Sequence, residues 1–459
     1  MNALRRRLAK QSAEAGLSLI EVIVAMLVFA LIATGIGYTM IAALNLTQDS
    51  TARQQAANLA SQEIDLTRSI DNLFNLVDKT TTETINGITY TIQRTARWVS
   101  DPNVDQRCGA GGGILRYKRV NVTVAWTGMT SSTPTVHADT VIDPGVRINN
   151  PDLGTVLITV SDSSGGPVAG ATVTVTPATP ANGATSLASQ PAATDSLGCT
   201  YALMVNPGNY NVTVTKSGYV DVTQNPTPSV LVSVAKSSAS SAMMTIDLGA
   251  TFPVHYATNY SDSSIVPSNL DASFVSTYGT SVKPNAPSSV TMFPFPAGYQ
   301  VLAGVYNDPA TPANFCKSVD PAEWPAGTTD GVDYLAGVRP AAVAAVPGGT
   351  ADPAAVPMGV VEVEMPGWPR YLLAVSQSSG PSGTADPGCD VVKQYSFGLR
   401  GAGEDVKIAL PFGSWKLYAS WSSSTPYNQL SISKLSPKTA AQETSSGDIL
   451  TLDPRQVKP

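Results

Sequence analysis

Apolar residues run almost unbroken from Leu17 to Leu46, and Glu21 is the single side chain in that stretch that carries charge at neutral pH. The run exceeds the roughly 20 residues that cross a bilayer as a helix. A carboxylate inside such a segment costs about 2.5–3.5 kcal/mol near the bilayer centre and less toward an end, so it reads as a functional group awaiting a positive partner. From Gln48 the chain turns polar, yet Ala52, Ala56, Leu59, Leu66 and Ile70 keep helix-like spacing. The pattern predicts one long helix to about Ile70, apolar first and then amphipathic, its second half packed under a globular head. Gly35 and Gly37 weaken it locally, each by about 1 kcal/mol relative to Ala.

From about Ile85 the period changes to two. Asn86-Gly87 is a strong turn dipeptide, after which Ile88, Tyr90 and Ile92 alternate. A loop holding Pro102, Cys108 and Gly109 to Gly113 follows, then an alternating run from Tyr117 to Trp126 and a last strand near Val136 to Ile142. Asn149 to Asp152 reads as a linker. Beyond it Gly154 to Val160 opens a new β run, and Tyr210, Val212 and Val214 alternate with Asn211, Thr213 and Thr215 as in a sandwich strand.

A corner motif recurs. Pro207-Gly208-Asn209-Tyr210 is echoed by Pro296-Ala297-Gly298-Tyr299 and by Pro411-Phe412-Gly413-Ser414-Trp415. Each places a Pro/Gly turn before an aromatic residue that enters an alternating strand, so the ring is expected to cover an edge of the core. Two further sandwich-like units, fused or separate, fit within 250–425. Pro321 to Gly349 and Pro347 to Pro357 read as long surface loops, and 437–459 as a flexible tail.

Length and composition narrow the picture. At 459 residues the chain calls for two to four domains. A net charge of -6 with 14% charged residues gives no sign of a basic protein that coats nucleic acid. Cys108, Cys199, Cys316 and Cys389 are widely spaced and form no CxxC pair, which favours disulfides in an oxidising compartment, or isolated thiols, over a metal centre. Cys316 with Cys389 is the expected pairing because both fall in the C-terminal region. Cys108 with Cys199 is what remains, across a domain boundary.

The N-terminal residues resemble the type IV prepilin family. Arg5, Arg6, Arg7 and Lys10 form a basic leader that ends in Gly16, and Glu21 is the fifth residue after that glycine. Leu17 stands where the family commonly has Phe, a mild departure. The resemblance implies that a prepilin peptidase cuts between Gly16 and Leu17 and methylates the new amine of Leu17. It implies further that Glu21 pairs with the N-terminal amine of a neighbouring subunit during filament assembly, and that the glycine-weakened stretch loosens on assembly. The basic leader sets the orientation, cytoplasmic before the helix and exported after it. A second resemblance, to the carboxypeptidase-regulatory-like, transthyretin-related β-sandwich, covers about 154–223 and speaks to fold alone.

The expected fold is therefore α+β: a leader over 1–16, a pilin-like helix and head over 17–150, a carboxypeptidase-regulatory-like sandwich over 151–249, a β-rich C-terminal part over 250–436 and the tail. Catalysis finds little support. His137 and His255 are the only histidines and both sit in strand patterns, too few for a hydrolase triad or zinc. Glu362 and Glu364 share one face of a strand, and Asp320, Asp330 and Asp333 read as acidic turns before a calcium site. Trp324, Trp368, Trp415 and Trp421 are either core residues or a ligand patch. No enzyme activity, cofactor or metal is expected. The reading is a minor or tip-located pilin that crosses the cytoplasmic membrane once before assembly and stands in an extracellular pilus afterwards. Its partners would be other pilin subunits, the prepilin peptidase and an unknown surface, glycan or protein ligand. The alternative is a pseudopilin of a secretion or DNA-uptake system.

Overall fold

The computed structural model describes residues 19–70, 73–100, 104–106, 108, 115–129, 134–144, 150–307, 315–329, 331–439, 441–444 and 447–459. It falls into two compact units, one built on the N-terminal helix and the sheet after it, the other taking in Ile148–Pro459.

The helix, α1, spans Leu19–Arg68 without a proline. Glu21 in its first turn and Arg68 in its last both complement the helix dipole. Its polar half buries Ala52, Ala56, Leu59, Ala60, Glu63, Ile64 and Thr67. These positions recur every three or four residues, so they form one stripe, and the small alanines let the backbone lie close to a sheet. Leu66 was expected in that stripe but is 53% exposed, because two residues beyond Ile64 is more than half a turn away.

The sheet beneath consists of β1 (Lys79–Ile85), β2 (Ile88–Ser100), β3 (Val104–Gln106), β4 (Leu115–Trp126) and β5 (Val136–Ile142) in the order β1-β2-β4-β5, with β3 added along β2. Asn86 and Gly87 both take positive φ, 53° and 80°, the geometry that a two-residue hairpin turn needs. Strand structure thus begins at Lys79, earlier than the sequence pattern indicates. β1 is rich in threonine and buries neither face fully, so it shows no alternation.

Helix and sheet are locked by charge. Glu63 and Arg94 form an ion pair at 2.7 Å with side chains only 9% and 8% exposed. Arg94 Nε and Nη2 also donate to Val77 O at 3.1 and 3.0 Å. Nearby, the buried Lys118 donates to Leu73 O at 2.7 Å and lies 4.9 Å above the Trp98 ring.

In the second unit, β6 (Gly154–Ser161), β7 (Thr172–Pro177), β8 (Cys199–Val205), β9 (Gly208–Thr215), β10 (Tyr219–Asp221), β11 (Ser229–Val234) and β12 (Ala239–Leu248) make two facing sheets, β10-β12-β6-β8 and β11-β9-β7. β12 runs parallel to β6, the rest antiparallel. Tyr210, Val212 and Val214 are fully buried, as their alternation predicts.

Beyond Leu248 most of the remaining strands contribute to one core from Ala250 to Leu452, so a division of 250–425 into separate cores is not what the packing shows. The expected tail is also corrected. Ile449–Leu452 is a strand paired with Gly413–Ser420, and Leu450 and Leu452 are fully buried. Asp453 and Arg455 pair at 2.8 Å almost without exposure, and Arg455 ties back to Pro325 O and Thr329. Four alternating residues at 449–452 are too few to stand out against a polar background.

The corner motifs have a common construction. Tyr210 OH donates to Asn206 O at 2.9 Å, Tyr299 OH to Phe293 O at 2.8 Å, and Trp415 Nε1 to Pro411 O at 2.9 Å. Each buried ring returns its polar atom to a carbonyl just upstream, which closes the corner while the ring fills the core edge. Gly208, Gly298 and Gly413 all hold positive φ, and a Cβ on Gly208 would meet the Ala184 backbone.

Replacing Glu63 with Ala leaves Arg94 buried without its counter-charge and is expected to destabilise the helix–sheet unit by about 3–5 kcal/mol, whereas Met at both positions restores most of that loss. Urea unfolding of the full chain in detergent reads both values.

Candidate functional site

The first half of α1 presents its apolar side chains outward all round, with Leu19, Ile20, Met26, Phe29 and Leu31 each more than three-fifths exposed. By length and composition this segment, with a mean hydropathy of 2.6 in its most apolar window, is able to cross a membrane. Its hydroxyl groups are satisfied within the helix. Thr34 Oγ1 donates to Ala30 O, Thr39 to Ile36 O and Thr47 to Ala43 O, all at 2.9 Å, so these side chains enter apolar surroundings without an open hydrogen bond. Glu21 differs from these in kind: it is a carboxylate exposed on the first turn amid those apolar neighbours. Gly35 and Gly37 are helical with open space around them. Gly16, Leu17, Arg5, Arg6, Arg7 and Lys10 lie outside the described residues.

Cys316 and Cys389 are joined in a disulfide across a local antiparallel bridge, closing 73 residues of sequence. In the chain-entropy account a loop of that length is worth about 4 kcal/mol against the unfolded chain. Cys108 and Cys199 are each disulfide-bonded as well, and no cysteine is free.

The other titratable groups are engaged structurally. His137 is exposed on β5 between the hydroxyls of Thr123 and Thr135, at 3.1 and 2.8 Å, and His255 is exposed on its strand. Glu362 and Glu364 do share a strand face, each with its own lysine, Lys438 at 3.3 Å and Lys434 at 2.6 Å. The fully buried Asp320 is gripped by Arg339, Nε reaching its two oxygens at 2.8 and 3.0 Å, while Asp333 accepts from Thr328. Asp330 lies outside the described residues, and among those described no cluster of three metal-binding side chains occurs. Burial raises the Tyr299 hydroxyl above its ordinary pKa, the hydrogen bond from Gln224 opposing it, which suits a ring used as a structural post. The four tryptophans divide: Trp324 and Trp415 are core, whereas Trp368 and Trp421 are 69% and 67% exposed.

The residue that sequence reasoning missed is Glu63. The signal was present, since Ala56, Ala60, Glu63 and Thr67 continue the buried stripe, but a charged residue in a stripe declares itself only when its partner is known. Arg94 lies on a strand 31 residues away.

Two family models match parts of the chain. Residues 11–37 match the prokaryotic N-terminal methylation motif, and residues 155–246 match the carboxypeptidase regulatory-like domain. No curated protein matches the chain. Solved structures that are similar include the Bacillus anthracis TIE protein, at 11% identity over 77% of this chain and 70% of that one with a TM-score of 0.18. A streptococcal ancillary pilin matches at 10% identity over 47% and 71%, TM-score 0.19. BcpA, the major pilin subunit of Bacillus cereus, matches at 11% over 62% and 94%, TM-score 0.18. Superpositions that loose carry no functional weight. The N-terminus is of the prepilin, N-methylated type, and the middle module is carboxypeptidase regulatory-like.

Alkylation of the unreduced, denatured chain is expected to modify no cysteine and alkylation after reduction to modify all four, with the Cys316 and Cys389 peptides recovered as one species from an unreduced digest. Intact and peptide mass spectrometry check this.

Proposed function

We propose that the chain is a minor or tip-located type IV pilin that displays its β modules for adhesion or partner binding. The observation that carries this reading is a carboxylate, Glu21, in the first turn of an apolar helix surface that the other described residues leave uncovered, within a matched methylation motif. Cleavage between Gly16 and Leu17 leaves an amine four residues before Glu21. The methylated amine of one subunit then neutralises Glu21 of the next, which offsets the desolvation of both and sets the stagger between adjacent helices. The role is structural and not catalytic.

Steric bulk supports the rare position. The unit spanning Ile148–Pro459 is far larger than the helix and sheet that would sit in a filament lattice, and repetition along a shaft would crowd it. A tip subunit has free space above it. The path is from the cytoplasmic membrane, with the leader inside, to the outer part of a pilus. A secretion or DNA-uptake pseudopilus uses the same N-terminal device and is the competing outcome of the test.

Filaments sheared from the native cell are expected to contain the protein beginning with methylated Leu17, read by N-terminal sequencing and mass. Deleting 150–459 is expected to abolish attachment while filaments persist. Recovery of the intact leader in the membrane fraction overturns the pilin reading, and unchanged attachment with lost DNA uptake or secretion replaces it with the pseudopilin.

A further inference from the structure

One end of the C-terminal sheet sets two arginines side by side. Arg370 and Arg400 are direct cross-strand partners in antiparallel strands Arg370–Ser376 and Gln394–Arg400, an arrangement in which like charges repel. On the other side of Arg370 runs Gly413–Ser420, paired so that Tyr371 faces Ser420. Trp421 follows at once, and its ring centroid lies 3.2 Å from the Arg370 Cζ. Arg400, Arg370 and Trp421 thus form a row across three strands.

Neither guanidinium has an ion-pair partner among the described residues. Arg370 Nη1 donates to the neighbouring Pro369 O at 2.7 Å, Arg400 Nη2 donates to Phe397 O, and the buried Nε of Arg400 has no acceptor. Glu404, in the turn after Arg400, has its carboxylate on the Gly401 N–H at 2.7 Å. Exposed aromatic residues stand close by in the sequence: Trp368 lies two residues before Arg370, and Tyr427 ends the loop that begins at Trp421, their exposures 69% and 63%. Between Trp421 and Tyr427 stand Ser422, Ser423, Ser424, Thr425 and Pro426, and Tyr427 N is anchored to Ser420 Oγ at 2.8 Å.

We propose that this end of the sheet binds a carboxylated glycan. Two part-exposed guanidiniums at directly paired positions match a carboxylate, which arginine recognises through paired N–H donors. The exposed rings offer flat apolar faces to the C–H side of a sugar, and the small hydroxyls of the 422–425 loop suit its hydroxyl rim. An external anion also supplies the counter-charge that these two facing arginines lack among the described residues, in a chain whose net charge is -6. The site gives the display reading a ligand class and rests on it only for biological purpose.

The test uses the full-length chain in detergent micelles over immobilised polygalacturonate, with dextran as the uncharged control and soluble poly-L-glutamate as competitor. Retention on polygalacturonate but not dextran is expected, falling as salt rises. Arg370→Gln and, separately, Arg400→Gln are expected to weaken it at least ~10-fold, equivalent to about 1.4 kcal/mol, while circular dichroism stays unchanged. Two variants guard against one failing to fold. Absent retention, equal retention on dextran, or full binding by both folded variants overturns the proposal. Displacement by poly-L-glutamate as effective as by free polygalacturonate overturns the glycan assignment in favour of an acidic polypeptide. Because purified protein is used, failure here leaves the filament reading standing, and an unprocessed leader in cells leaves this binding result intact.

Discussion

The chain is governed by an apolar helix half that the described residues leave uncovered. From Leu19 to Leu46 large side chains point outward in every direction, and no part of the described fold packs against the most apolar window. Water disfavours such a surface by about 25 cal/mol for each Å² exposed, so the segment favours lipid or protein cover. Under the pairing proposed for Glu21, that demand becomes a specific one. Apolar helices alone slide past one another; a buried carboxylate that needs an amine fixes where they stop.

The second half of the same helix solves the opposite problem, that of joining a membrane or filament element to a folded head. Alanines bring α1 close to the sheet, and Glu63 with Arg94 supplies direction where apolar contact is indifferent to register. The pair is well satisfied, since Arg94 also reaches Val77 O. It serves for the head the purpose proposed for Glu21 in the filament, an ion pair that specifies position within an otherwise greasy contact.

The β modules repeat one economical solution for sheet corners. Tyr210, Tyr299 and Trp415 each fill a core edge and return a polar atom to a nearby carbonyl, with a positive-φ glycine letting the chain approach closely. The regular use of buried aromatics as corner posts makes the exposed ones informative. Trp368 and Trp421 close no corner, and the row of arginines beside Trp421 lacks the counter-charges found at Glu362, Glu364 and Asp320.

Most of the architecture was legible in the sequence because it rests on local periodicity. The apolar run, the switch from a helical to an alternating pattern near Asn86-Gly87, the buried face of Tyr210, Val212 and Val214 and the three corners all follow from spacing within a few residues. So does the oddity of Glu21. What required the tertiary structure were pairings between distant positions, which leave no local trace. Lys79–Ile85 is a strand only because Ile88–Ser100 lies beside it, and Ile449–Leu452 enters the core only because Gly413–Ser420 receives it. Glu63 is a structural ion and Arg370 an open one for the same reason: a charge acquires its meaning from what the fold sets against it, and the sequence lists the charges without their neighbours.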